Sequence, residues 1–210
     1  MAVIRKYHSS DYPACEALAS NAWAFEKNFT PRAFAGLVAY LYAMGSVLES
    51  NFKMVVEDNN EVVGFLFAFN ENAARPQSAM QNFFWQISIL IRLLFIKGLS
   101  LRDKIALIKA TTRHERNKAK LIQGVKSELV HFVIAPAYQG KGYGRQLINK
   151  FIAHCEASGV KSMIVETNKL GASGFYEKMG FLHKGDFDSP LHEYSIKNGQ
   201  ACLYEYFLRR

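Results

Sequence analysis

With 210 residues, half of them apolar and 21% charged, the chain sits near the soluble globular average and is long enough to bury a core as one domain, 1–210. Cys15, Cys155 and Cys202 are isolated and odd in number; without CxxC or CxxH spacing they argue against a disulfide frame or a zinc site, so no metal is expected. The net charge of +8 favours anionic partners: nucleic acid, a membrane surface or a phosphorylated ligand.

The opening residues, Met1 to Tyr7, carry no secretory pattern, and a reduced cytoplasmic setting is expected. Val3 to Tyr7 reads as a strand. Ser9 or Ser10 is placed to cap a helix over 11–23, with Pro13 in its first turn. Pro31 restarts a helix that runs to about Ser50, with apolar residues at helical spacing. The runs 52–57 and 61–69 flank a polar turn at Asp58, Asn59 and Asn60 and predict a hairpin. Gly64 inside its second strand signals a bulge or a close backbone approach.

Residues 71–127 read as two helices. The first, 80–96, is strongly apolar but is interrupted by Arg92 and is shorter than the ~20 apolar residues of a spanning helix. A core helix, a lid, or an oligomer interface such as that of a homodimer fits it. Ser100 and Asp103 mark the start of the second helix. Residues 97–126 hold nine Lys and Arg against Asp103 and Glu115, a net +7. A solvated basic face is the favoured reading; membrane contact is the less favoured one. Nucleic acid is not expected, because aromatic residues do not interleave with the basic ones.

The most informative stretch follows. Glu128 to Ile134 is a strand, stopped by Pro136. Tyr138, Gln139, Gly140, Lys141, Gly142, Tyr143, Gly144 and Arg145 then lead into an amphipathic helix over 145–158. A glycine turn between strand and helix frees backbone N–H groups at a helix N-terminus, where a phosphate binds well. Lys141 and Arg145 add full charges. The third glycine of a dinucleotide fingerprint and the Gly-Lys-Ser/Thr of a Walker loop are both missing. A second strand spans 162–167. A hairpin closes the chain, with strands 194–197 and 200–208 around Asn198 and Gly199.

Gln139, Gly142 and Gly144 fit the pattern Gln/Arg-x-x-Gly-x-Gly/Ala. Asn168, Ala172, Phe175, Tyr176, Glu177, Lys178, Gly180 and Phe181 fit a second one downstream. Together they resemble the GNAT superfamily of acetyl-CoA-dependent N-acetyltransferases. That resemblance implies an α/β (α+β) fold: a mixed, mostly antiparallel sheet with helices on both faces. Residues 71–127 would be a helical insertion before the CoA-binding strand. Acetyl-CoA would be the cosubstrate and a small-molecule or peptide amine the acceptor. The pyrophosphate would lie on Gln139, Gly140, Lys141, Gly142, Tyr143, Gly144 and Arg145. The pantetheine arm would run along Phe132, Val133, Ile134 and Asn168, beside Phe175.

By the same resemblance, Tyr176 would protonate the departing thiolate and Glu128 would be the base. Strand parity with Val130, Phe132 and Ile134 turns Glu128 toward the site and His131 away from it. His131 then reads as a structural histidine, while His114 and Glu166 are weaker candidates. The aromatics Trp23, Phe25, Phe29, Tyr40 and Tyr42 read as core, or else as the acceptor lining. The rival reading is a non-catalytic acyl-CoA-binding module whose insertion contacts a partner or a membrane.

Overall fold

The computed structural model describes residues 2–74, 79–122, 124–190 and 200–208. Its centre is a seven-stranded sheet: β1 (Val3–Lys6), β2 (Phe52–Asp58), β3 (Glu61–Phe69), β4 (Glu128–Ile134), β5 (Ser162–Asn168), β6 (Leu182–Phe187) and β7 (Ala201–Phe207), in the order β1-β2-β3-β4-β5-β7-β6. Every neighbouring pair is antiparallel except β4 with β5. This is the mixed, mostly antiparallel sheet expected.

Helices cover both faces. α1 (Tyr12–Trp23), α2 (Phe25–Asn28) and α3 (Arg32–Glu49) lie on one side. There Cys15 and Ala19 of α1 pack on Val55, Phe65, Phe67 and Val133. α6 (Tyr143–Ala157) and α7 (Ser173–Lys178) cover the other side. Leu147, Ile148 and Phe151 of α6 meet Val56, Leu66 and Met163 in the largest core cluster. All three α6 residues are fully buried; each such side chain contributes roughly 1.5–3 kcal/mol of transfer free energy.

Two helices lie between β3 and β4. α4 (Ala79–Phe95) leans on α3 through Ile89 and Leu93, and α5 (Leu101–Ile122) crosses the β5–β7–β6 end through Leu121 and Ile122. Ser100 and Asp103 form the expected cap: Asp103 N–H donates to Ser100 Oγ at 3.2 Å, and Ser100 N–H returns a bond of 3.2 Å to Asp103 Oδ2.

One local expectation is corrected. The first helix starts at Tyr12 without a serine cap, because residues 9–11 form a 3-10 turn. The Asp11 carboxylate is held there by Arg5, at 2.7 and 2.8 Å. β6 was not read from the sequence. Its residues Leu182, His183, Lys184, Gly185, Asp186 and Phe187 are mostly polar because it is an edge strand. β7 pairs with β5 and β6; the anticipated hairpin partner 194–197 and its turn lie outside the described residues.

Gly64 satisfies both of its readings. The register slips between Val56↔Gly64 and Glu57↔Val62, so Val63 is an extra residue on β3. A Cβ on Gly64 would also lie 2.5 Å from Ile134 Cδ1.

Candidate active site

β4 and β5 pair in parallel only at Glu128↔Ile164 and Leu129↔Val165. Beyond Leu129 they part, leaving a slot along one edge of β4. Backbone alternation decides what lines it. Ala135 N–H donates to Val63 O on β3 at 2.9 Å, so Val133, two residues earlier, also turns its amide to β3. Phe132 and Ile134 turn theirs toward the slot. The Gln139 side-chain amide donates to Ile134 O at 3.0 Å, in keeping with that direction. Of the three strand residues named for amide contacts, Phe132 and Ile134 face the slot, and Val133 belongs to the sheet ladder.

A bulge sits at the top of the slot. Phe67 pairs with His131 but Ala68 pairs with Leu129, so Val130 is the extra residue. The strand's parity inverts across it. Leu129 joins the α6-side core, and Glu128 pairs opposite Phe69 on the face that carries α3 and α5. The expected face of Glu128 is therefore corrected: it shares a face with His131, and Phe132 and Ile134 occupy the other, as expected of His131.

The glycine turn lies below the slot. Gly140 has φ +75 and Gly142 φ +83, left-handed values that favour glycine. A Cβ on Gly140 would meet nothing within 4 Å, and one on Gly142 only the Gln146 amide at 4.0 Å. α6 starts at Tyr143 without a side-chain cap and without an acidic residue in its first turn. Such a helix start leaves N–H groups and partial positive charge exposed. Arg145 is exposed, and exposed Lys141 stands 4.5 Å over the Tyr138 ring. Gly144 has a different task from its neighbours. A Cβ there would fall 2.9 Å from Phe132 and 3.4 Å from Phe175, so its bareness lets α6 close on β4 and α7.

Asn168 ends β5. Its Oδ1 accepts the Leu170 N–H at 2.9 Å, while its Nδ2 is buried with no partner among the described residues. Tyr176 of α7 is 4% exposed, against Phe175, Phe181 and Tyr204. Burial pushes its phenol well above the usual value, so it stays protonated.

On the other face, α5 brings charge to the point where the strands part. Lys118 Nζ donates to Glu128 Oε1 at 2.6 Å and lies 3.2 Å from Glu166 Oε2. Glu166 is the first β5 residue past the last β4–β5 pair, so the ammonium bridges the two strands where the slot opens. All three side chains are mostly buried. Burial raises the Glu128 carboxyl while Lys118 opposes it; burial disfavours the Lys118 ammonium, but the two glutamates outweigh it and raise its pKa. His114, beside Glu166 at 3.4 Å and bonded to Ser189 Oγ at 2.8 Å, is also raised: burial works against its charge and Glu166 prevails. Lys118 escaped the sequence reading because no motif or spacing connects it to Glu128 and Glu166.

His131 lies on this face among Trp23, Tyr42 and Phe65. The Ser46 hydroxyl donates to Tyr42 O, so at 2.9 Å it accepts from His131 Nδ1–H. His131 Nε2 is then an acceptor, buried without a partner among the described residues. Phe25 and Phe29 are core, as expected, and Tyr40 lies under Arg92 at 4.7 Å.

Sheet, split strands and uncapped glycine turn define the class: a mixed α/β protein with an open strand slot above a phosphate-type helix start. The chain belongs to the acetyltransferase (GNAT) family, whose model matches residues 18–181. A [ribosomal protein bS18]-alanine N-acetyltransferase of Haemophilus influenzae is 35% identical over 57 residues, 27% of this chain. The match spans only 39% of that relative's length. The crystal structure of SsHAT superposes with a TM-score of 0.72 at 18% identity, covering 100% of this chain and 99% of that one. YncA of Salmonella typhimurium, a structure with its cofactor acetyl-CoA, gives 0.55 at 14% identity, covering 100% and 95%. These structures share the fold.

Proposed function

We propose that this chain moves an acetyl group from acetyl-CoA to a primary amine by direct attack. The observation that carries the reading is the slot between β4 and β5. It has outward amides at Phe132 and Ile134, an Asn168 Nδ2 on its far strand with no partner among the described residues, and an uncapped helix start at its foot. An extended ligand with amide groups and a phosphate end fits that set: strand-like bonds above, anion contacts below. The relative named as an alanine N-acetyltransferase supports an amine acceptor.

Acetyl-CoA, when bound, supplies a thioester as acyl donor. The protein's part is placement and proton traffic. Phe132 N–H faces the slot and serves to polarise a carbonyl lying in it. Glu128 and Glu166 already hold one ammonium, that of Lys118. An acceptor ammonium displaces that of Lys118, passes one proton to Glu128 and becomes nucleophilic. The new C–N bond forms as the C–S bond breaks. Tyr176, kept protonated by burial, gives its proton to the leaving sulfur, and the second proton of the attacking nitrogen, shed as the amide forms, restores the phenol.

A panel of small-molecule and peptide amines assayed for thiol release tests this. At least one amine should turn over. Tyr176→Phe should lower kcat by about 10²-fold or more while acetyl-CoA binding, measured by calorimetry, stays unchanged. Unchanged turnover in the variant would remove the acid role from Tyr176. Acetyl-CoA binding without turnover of any amine would favour the non-catalytic module.

A further inference from the structure

We propose that the insertion docks α4 and α5 on an anionic lipid surface, with α4 lying flat in the headgroup region. The two sides of α4 differ. One packs on α3 through Ile89 and Leu93, which are 9% and 6% exposed. The other is large, apolar and uncovered among the described residues. Phe83, Ile87, Leu90 and Leu94 are 58%, 39%, 45% and 61% exposed, with Phe95 beside them at 79%. The first four recur at three- and four-residue steps, so they form one stripe rather than scattered surface residues. Leu101, Ile105 and Ile108 make a second exposed row on α5 at the same spacing. Lys104 Nζ ties the two helices by donating to Leu94 O at 2.6 Å.

Charge selects the occupant. Roughly a quarter-turn round α5 from its apolar row lie exposed Arg102, Lys109, Arg116 and Lys120, and exposed Lys97 lies in the turn between the helices. Residues 97–126 carry a net +7. A second copy laid on this surface would bring the same charge against it and be repelled. An anionic bilayer attracts it and takes up the apolar stripe at the same time. No described helix is long and apolar enough to cross a membrane, which suits an interfacial position. The sequence alone favoured a solvated face; the exposure of the whole apolar stripe is what changes the balance.

The test is flotation of the full chain with vesicles of equal parts phosphatidylglycerol and phosphatidylcholine, and with phosphatidylcholine alone, alongside light scattering for oligomeric state. The expected result is partition to the anionic vesicles, with weak or no partition to the neutral ones. The double variant Leu94→Glu, Phe95→Glu alters exposed residues only, so circular dichroism and acetyl-CoA binding should match wild type while partition is lost. Arg102→Glu with Lys109→Glu should weaken partition by about tenfold or more, and added salt should do likewise. Three outcomes overturn the proposal. One is a folded monomer that floats with neither vesicle. Another is anionic partition unaffected by the apolar double variant, which is adsorption by charge alone. The third is a homodimer that the apolar double variant dissociates, which assigns the stripe to a second copy.

Discussion

His131 shows what a single buried side chain imposes on the protein. Its ring is held neutral, and burial pushes its pKa down to about 4. In the unfolded chain it titrates near the ordinary value of about 6.5. Between those limits the unfolded state binds the proton and the folded state does not, so stability is full above the upper limit and falls as pH drops through the window. The loss accumulates to about 3 kcal/mol. Thermal unfolding should therefore show Tm falling between about pH 6.5 and 4. His131→Phe should flatten that slope, whatever it does to Tm at neutral pH. The residue was legible in the sequence as a buried histidine. The face of Glu128 was not, because the extra residue at Val130 exists only relative to β3.

At the scale of elements, α6 and the turn before it were the easiest part to read. Their signals are local: glycines at fixed spacing, an apolar stripe and a strand stopped by Pro136. Structure separates glycines that a motif treats alike. Gly142 needs its left-handed backbone and faces open space, whereas Gly144 needs the absence of a Cβ against Phe132. Gly144→Ala should cost about 1–3 kcal/mol by overpacking, seen as a lower Tm. Gly142→Ala should cost about 1–2 kcal/mol in backbone strain. It should also weaken acetyl-CoA binding by calorimetry, since its methyl group would enter the space above the helix start. β6 was illegible for the opposite reason. An edge strand shows few apolar residues, and its pairing with β7 comes from the sheet rather than from its own pattern.

Across the whole molecule, α5 and the sheet meet in the ion cluster of Lys118, Glu128 and Glu166. Lys118 comes from α5, Glu128 from β4 and Glu166 from β5. Removing the ammonium leaves two mostly buried carboxylates facing each other. Lys118→Met should therefore destabilise the protein by about 2–3 kcal/mol, somewhat less than a fully buried pair broken in the same way. It should also raise the Glu128 carboxyl further, because Lys118 now lowers it. If Glu128 is the base, the acid limb of the kcat/KM profile moves to higher pH in the variant. An unmoved limb would show that Glu128 does not set it.

If the acceptor amine binds between Glu128 and Glu166 as proposed, Lys118 changes how it competes for that place. The ammonium between the two glutamates is tethered, so it rebinds as an intramolecular ligand. Its effective concentration is of order millimolar or higher. An amine that offers nothing beyond its own charge is outnumbered at that position. Selection among acceptors would then fall on whatever else they touch, with α5 setting the threshold they must clear.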